Sequence, residues 1–119
     1  MKDLLGQLNE VPGVQGSMLI TPDGIMVVAA LGPNLDEDVV AAHSSSLLMT
    51  LQRALKAIDK DSQQPHEMIL SAVEGKLFFS DLGNAFLVVV TKPNLHLGTG
   101  LVEIRSFSRK LKERCTLAL

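Results

Sequence analysis

Asp36–Lys60, DEDVVAAHSSSLLMTLQRALKAIDK, carries the longest helical pattern in the chain, and the other elements are arranged about it. Acidic residues occupy its first positions and basic residues its last turns, as the helix dipole favours. Asp36 is the predicted N-cap, with Asn34 as the alternative. The fourteen residues between Asp38 and Arg53 carry no fixed charge. The pattern predicts a long helix with an uncharged middle.

At 100° per residue this helix has two different faces. One is an apolar stripe, predicted to pack on the chain's own sheet through Val40, Leu47, Leu51, Leu55 and Ile58, with Ser44, Leu48 and Ala54 between them. The opposite face consists mostly of small or weakly polar side chains: Val39, Ala42, His43, Ser46, Met49, Thr50, Arg53 and Ala57. Because a solvated helix face is usually charged, we expect this second face to contact another protein. The alternative is a solvated surface that tolerates small side chains.

Shorter patterns flank the long helix. Residues 2–10 form a short amphipathic helix, which Pro12 and Gly13 end. The predicted strands are 16–21, 25–31, 67–73, 76–81 and 85–91, and a last helix runs from about 97 to 114. Thr21-Pro22-Asp23-Gly24 predicts a type I turn followed by a left-handed glycine. A polar connection at 61–65 follows the long helix.

The element order α-β-β-α-β-β-β-α restricts the architecture. Turns at Glu74-Gly75 and Gly83-Asn84 are short enough to make the last three strands antiparallel hairpins. Phe86–Val90 is apolar at every position, which is typical of a central strand covered on both faces. The prediction is therefore an α+β fold: a three-layer α/β/α sandwich around one five-stranded antiparallel sheet. The length of the chain predicts a single domain spanning residues 1–119.

The strand Glu67–Val73, EMILSAV, lacks the usual protection of an edge strand. It contains no Lys, no Pro and no internal Gly. If it lies at an edge, antiparallel pairing with its own copy would satisfy its backbone. We therefore predict that Met68, Leu70 and Ala72 belong to the same interface as the outer helix face. Together the 36–60 helix and the 67–73 strand predict a homodimer.

Composition excludes several function classes. Apolar residues make up 46% of the chain, yet no apolar run approaches the roughly 20 residues of a membrane span, so the excess favours a buried protein interface. A net charge of −2 and the lack of Trp and Tyr argue against nucleic-acid binding. The first residues do not have the pattern of a signal peptide, and Cys115 is the single cysteine. We expect a cytoplasmic protein.

No residue pattern indicates catalysis. The chain has no GxxxxGK[ST] phosphate loop, and His43, His66 and His96 lack metal-ligand spacing. Lys112 and Arg114 lie close to Cys115, and neighbouring cations lower the pKa of a thiol, but no His or Asn partner is apparent. We expect no enzymatic activity, no metal and no cofactor.

Basic residues concentrate in the last helix, where five of the chain's eleven occur within ten positions. Arg105, Arg109 and Lys112 form a candidate second contact face, suited to an acidic protein or lipid surface. The alternative is a solvated outer face that complements the C-terminal end of the helix dipole.

Four structural motifs occur in a fixed order along the chain. They are Val11–Gly24 (VPGVQGSMLITPDG), the acidic-capped helix 36–60, the Leu82-Gly83 turn, and Asn94–Gly98 (NLHLG) at the start of the last helix. In these motifs the chain resembles the Roadblock/LC7 family over essentially its whole length. The resemblance implies a profilin-like or longin-like domain, with the long helix on one sheet face and the terminal helices on the other. It also implies a dimer in which the long helices pack together and the third strands join two sheets.

The same resemblance implies a function. Members of the family are non-enzymatic regulators and scaffolds for Ras-like small GTPases, in bacterial polarity and motility systems among others, or are dynein light chains. No catalytic residue accompanies the family, so none is assigned, and Arg53 is not assigned as an arginine finger. The implied function is a dimeric module that binds a Ras-like small GTPase and influences its nucleotide cycle. The alternative is a small-molecule sensor, since three-layer α/β domains often hold ligand pockets.

Overall fold

The eight elements occur in the predicted order. The computed structural model describes residues 1–61, 66–95 and 98–117. The elements are α1 (Lys2–Leu8), β1 (Val14–Ile20), β2 (Met26–Leu31), α2 (Glu37–Ile58), β3 (Glu67–Ala72), β4 (Gly75–Asp81), β5 (Phe86–Thr91) and α3 (Thr99–Leu117). Residues 62–65 of the predicted polar connection, His96 and the predicted helix start at 97 lie outside the described residues.

One antiparallel sheet forms the middle layer, with strand order β2-β1-β5-β4-β3. β5 is central, and Leu87, Val88 and Val89 in it are fully buried, as its continuous apolar run predicts. Side chains of α1 and α3 pack on one face of the sheet, and those of α2 pack on the other. The predicted three-layer sandwich is confirmed.

Two local signals fix how α2 enters and meets the sheet. The Asp36 carboxylate accepts hydrogen bonds from the backbone N–H groups of Asp38 (3.0 Å) and Val39 (3.2 Å), which confirms it as the N-cap. In the β1–β2 turn, Gly24 donates to the Thr21 carbonyl at 2.9 Å and has a φ of +92°. A Cβ at Gly24 would lie 2.7 Å from Ser45 Oγ. Glycine is required here both by the backbone conformation and by the close approach of α2.

The two sheet faces are packed unequally. On the α1–α3 side the helices contribute many buried residues: Leu4, Leu5, Leu8, Ile104, Leu111 and Cys115. On the α2 side the only fully buried apolar residues from the described helix are Ala41 and Leu48, which pack with Met18, Ile20, Phe79, Phe86 and Val88 of the sheet. α2 is therefore held by a short segment of its length.

The predicted sheet contacts of α2 are wrong at Leu47 and Ile58. Leu47 is 38% exposed and Ile58 is 83% exposed, and Ala54 is exposed as well. The buried face is centred on Ala41, Ser44, Ser45 and Leu48, with Val40, Leu51 and Leu55 half-buried.

Geometry explains both errors. Leu47 lies about 100° around the helix from Leu48, which points into the core. The 22 residues of α2 span roughly 33 Å at about 1.5 Å per residue. A strand of six or seven residues spans only about 20–23 Å. The helix is therefore longer than the strands it covers, and no residue of α2 beyond Leu48 is fully buried.

Candidate functional site

The outer face of α2 is the set Val39, Ala42, His43, Ser46, Met49, Thr50 and Arg53, and the structure exposes all of them. Two are sizeable apolar side chains: Val39 is 52% exposed and Met49 is 41% exposed. The remainder are small or weakly polar apart from Arg53. The structure therefore places the predicted helix residues together on one open surface.

This helix presents more apolar surface than its sequence predicts. Leu47 and Ile58, which the helical period assigns to the core, are exposed as well. The period identifies which residues share a stripe, but it does not say where the underlying sheet stops. The exposed large apolar side chains of α2 are accordingly Val39, Leu47, Met49 and Ile58.

β3 lies at one edge of the sheet, and among the described residues β4 is its only neighbouring strand. Met68 packs into the core on the α2 side, so Leu70 and Ala72 share that face by strand alternation. Leu70 is nevertheless 39% exposed and Ala72 is exposed, so α2 leaves this part of the sheet uncovered. The predicted edge residues and the outer face of α2 therefore lie on the same side of the molecule.

The two sheet edges differ in protection. β2 forms the other edge, and its pairing with β1 shifts register between Leu19 and Ile20, which leaves Val27 as the extra residue of a bulge. β3 pairs with β4 in unbroken register from Glu67 to Ala72. Bulges hinder edge-to-edge association, whereas a regular edge permits it. β3 is thus the edge suited to pairing with another strand.

The candidate basic face lies on the opposite side of the sheet. Arg105, Arg109 and Lys112 follow one stripe of α3 and line a groove of about 460 Å³ between α3 and the β3–β4 pair. Arg105 is engaged within the chain: its Nη2 donates to Glu67 Oε1 at 2.6 Å, and its Nε lies 3.1 Å from both carboxylate oxygens. The hydrogen bonds to Glu67 raise the pKa of Arg105.

The floor of this groove contains a pair of hydroxyls that sequence reasoning missed. Ser80 Oγ and Ser108 Oγ are 2.6 Å apart, and the two residues are only 6% and 9% exposed. Ser80 lies two residues after buried Phe78 in β4 and so shares its sheet face, and Ser108 lies three residues after Arg105 in α3. Those spacings indicate which face of its element each serine occupies. No sequence pattern indicates that the two serines, which are 28 residues apart, are in contact.

The described residues offer little for catalysis or metal binding. Burial raises the pKa of the Cys115 thiol. Reactive cysteines instead have a pKa that neighbouring cations lower. Among the residues that the structure describes, no group of three or more His, Cys, Asp or Glu side chains could hold a metal ion. No helix in the described part of the chain is long and apolar enough to cross a membrane.

Comparison with known proteins gives concordant matches. Residues 1–91 match the model of the Roadblock/LC7 domain. An uncharacterized protein of Methanocaldococcus jannaschii is 28% identical over 109 residues, covering 92% of this chain and 91% of that protein. The crystal structure of a Roadblock/LC7 domain from Streptomyces avermitilis aligns with a TM-score of 0.80 at 19% identity, covering 98% of each chain.

The structure of Myxococcus xanthus MglB aligns with a TM-score of 0.86 at 17% identity, covering 98% of this chain and 88% of that one. At these identities the two structures establish the fold alone.

Proposed function

Because this chain belongs to the Roadblock/LC7 domain family, we propose that it is a non-enzymatic regulatory module. Two copies pair through α2 and β3, and the paired helices form a platform that binds a Ras-like small GTPase and influences its nucleotide cycle. One observation carries the proposal: a partly apolar helix face, whose one fixed charge is Arg53, is exposed beside an unprotected strand edge.

The outer face of α2 is suited to burial against a second helix. Small side chains such as Ala42 and Ser46 let helix backbones approach closely, and uncharged groups are cheaper to desolvate than charged ones. Val39 and Met49 supply apolar area, worth about 25 cal/mol for each Å² removed from water. The pairing of two such faces is therefore favourable without any interfacial ion pair.

The charges at the ends of α2 favour an antiparallel arrangement. Glu37 and Asp38 occupy its first turn, whereas Arg53 and Lys56 lie near its end. A two-fold axis across the helix pair places the acidic end of one copy beside the basic end of the other. Parallel helices would instead place like charges together.

The same two-fold axis suits β3. An isologous contact between two identical edge strands is antiparallel, so the free backbone N–H and C=O groups of one strand can pair with those of its copy. Pairing would join the two sheets into one and bring a second protomer over the exposed Leu70 and Ala72. Both surfaces then belong to one interface.

The choice of partner rests on the family and not on a recognised binding motif. A platform of small and apolar side chains acts by positioning a partner, which suits a regulator that supplies no reacting group of its own. We expect the module to work in the cytoplasm, where its single buried thiol stays reduced.

Affinity capture tests the partner. Immobilised chain is expected to enrich a Ras-like GTPase from extract of the native source, to different extents after loading with GTP analogue and with GDP. Met49→Glu should abolish this enrichment, because it disrupts the platform. Lys110→Gln, which changes the net charge by the same amount on α3, should retain it. Recovery of no small GTPase in either nucleotide state, or equal recovery by Met49→Glu, would refute the proposal.

A further inference from the structure

The groove between α3 and the β3–β4 pair lies on the sheet face opposite α2, and the proposed helix pairing does not use it. Its volume of about 460 Å³ falls within the roughly 300–1,000 Å³ of small-molecule sites. All of its lining side chains are polar or charged: His66, Glu67, Ser80, Asp81, Arg105, Ser108, Arg109 and Lys112. The groove is therefore suited to a polar ligand.

The hydroxyl pair at its floor has a hydrogen to donate. Each serine hydroxyl carries one proton, and the Ser80–Ser108 bond of 2.6 Å uses one of the two. Neither side chain makes another hydrogen bond to a described residue. The second proton therefore remains for an acceptor in the groove. Because both residues are about nine-tenths buried, that donor is held in place.

The charges around the pair favour an anion. The lining has three cationic side chains, Arg105, Arg109 and Lys112, against the two carboxylates of Glu67 and Asp81. Glu67 forms an ion pair with Arg105. Arg109 forms no ion pair within the described part of the chain. Its planar guanidinium matches two oxygens of a phosphate, as an ammonium does not. Lys112 adds positive charge to the lining, and His66 adds a hydrogen-bond donor.

We propose that this groove binds the phosphate group of a small organic phosphate. Arg109 and the Ser80–Ser108 pair hold the phosphate oxygens, Lys112 contributes positive charge, and the remaining volume takes the organic part. The groove is built within one chain, so phosphate binding does not depend on the proposed pairing or on a GTPase. A result against the groove leaves the proposed function untouched, and the converse also holds.

Nuclear magnetic resonance of the ¹⁵N-labelled full chain tests the site. Inorganic phosphate and glycerol 3-phosphate are titrated at constant ionic strength, with sodium chloride as the reference. We expect saturating amide shifts confined to the groove segments 66–67, 80–81 and 105–112, with tighter binding of glycerol 3-phosphate. Shifts that rise without saturation, or that scatter over the surface lysines, would overturn the proposal. So would binding to phosphatidic acid vesicles without binding to either soluble phosphate.

Matched variants separate a built site from general charge attraction. Arg109→Gln is expected to weaken phosphate binding about tenfold or more, because it removes a charge-assisted pair of hydrogen bonds. Lys110→Gln removes the same charge from the next residue, whose Nζ lies over the Phe107 ring outside the groove, and should change affinity less than about twofold. Ser80→Ala combined with Ser108→Ala should weaken binding about fivefold, because the double variant leaves no hydroxyl donor at the floor of the groove. Equal losses in the two charge variants would refute the site.

Discussion

The variant Met49→Glu is expected to sediment as a monomer at concentrations of tens of micromolar, where the unmodified chain sediments as a dimer. Met49 lies on the outer face of α2 and is partly exposed in the single chain, so a glutamate there is tolerated by the fold. In the paired state the carboxylate would be buried without a partner, at a cost of about 3–5 kcal/mol. That cost weakens association by roughly 100-fold or more, since each 1.4 kcal/mol is a factor of ten.

Val102→Glu is the matched control. Val102 is an exposed apolar residue of α3, and the substitution adds the same charge away from α2 and β3. It should leave the dimer intact. Dissociation by both variants would show that negative charge alone separates the copies, and an intact Met49→Glu dimer would mean that this helix face is not the interface.

The variant Phe79→Ala is expected to lose about 3–5 kcal/mol of unfolding free energy. Phe79 is 1% exposed and packs with Leu48 in the core beneath α2, which is the smaller of the two cores formed by the described residues. With few other buried contacts from α2, the cavity left by the phenyl ring has little chance to be filled by repacking. Because the whole stability of a domain this size is about 5–15 kcal/mol, the loss is a large fraction of it.

Urea unfolding measures this loss. Every variant is measured at the same protein concentration, because association contributes to the apparent stability and depends on concentration. Val102→Ala truncates an exposed side chain and should change the unfolding free energy by less than about 0.5 kcal/mol. A Phe79→Ala unfolding free energy within about 0.5 kcal/mol of that of the unmodified chain would show that α2 is not held by this core.

Local chemistry made much of the fold predictable. The Asp36 cap, the Gly24 turn and the continuous apolar run of β5 each specify a conformation within a few residues of sequence, and the structure has all three. Strand number and the antiparallel hairpins follow from short turns. The three-layer arrangement follows because both sheet faces need cover.

The predictions that were wrong or conditional concern features that depend on contacts between elements distant in the sequence. Leu47 and Ile58 keep the helical period, but their burial depends on the length and position of a sheet that the period does not encode. Likewise the residues of β3 show that it is unprotected, whereas its edge position comes only from the strand order. Similarly, no sequence pattern predicted the ion pair between Arg105 and Glu67, which are 38 residues apart.

Cysteine cross-linking along β3 tests the central claim, that two copies pair edge to edge, most directly. Single cysteines replace each residue from Met68 to Ala72 in turn. Native Cys115 contributes little background, because burial raises the pKa of its thiol and reduces its thiolate fraction. Val27→Cys, in the bulged β2 edge, is the control.

In an antiparallel pair of identical strands, a residue faces its own copy only at the two-fold axis. Each step away separates the two copies of a residue by about 6.6 Å more along the strands, and a disulfide needs Cα atoms within about 7 Å. We therefore expect disulfide-linked dimer to peak at one position, or at two adjacent ones, fall steeply on either side, and be absent for Val27→Cys. A flat, weak profile along β3, or equal cross-linking through Val27→Cys, would contradict the pairing.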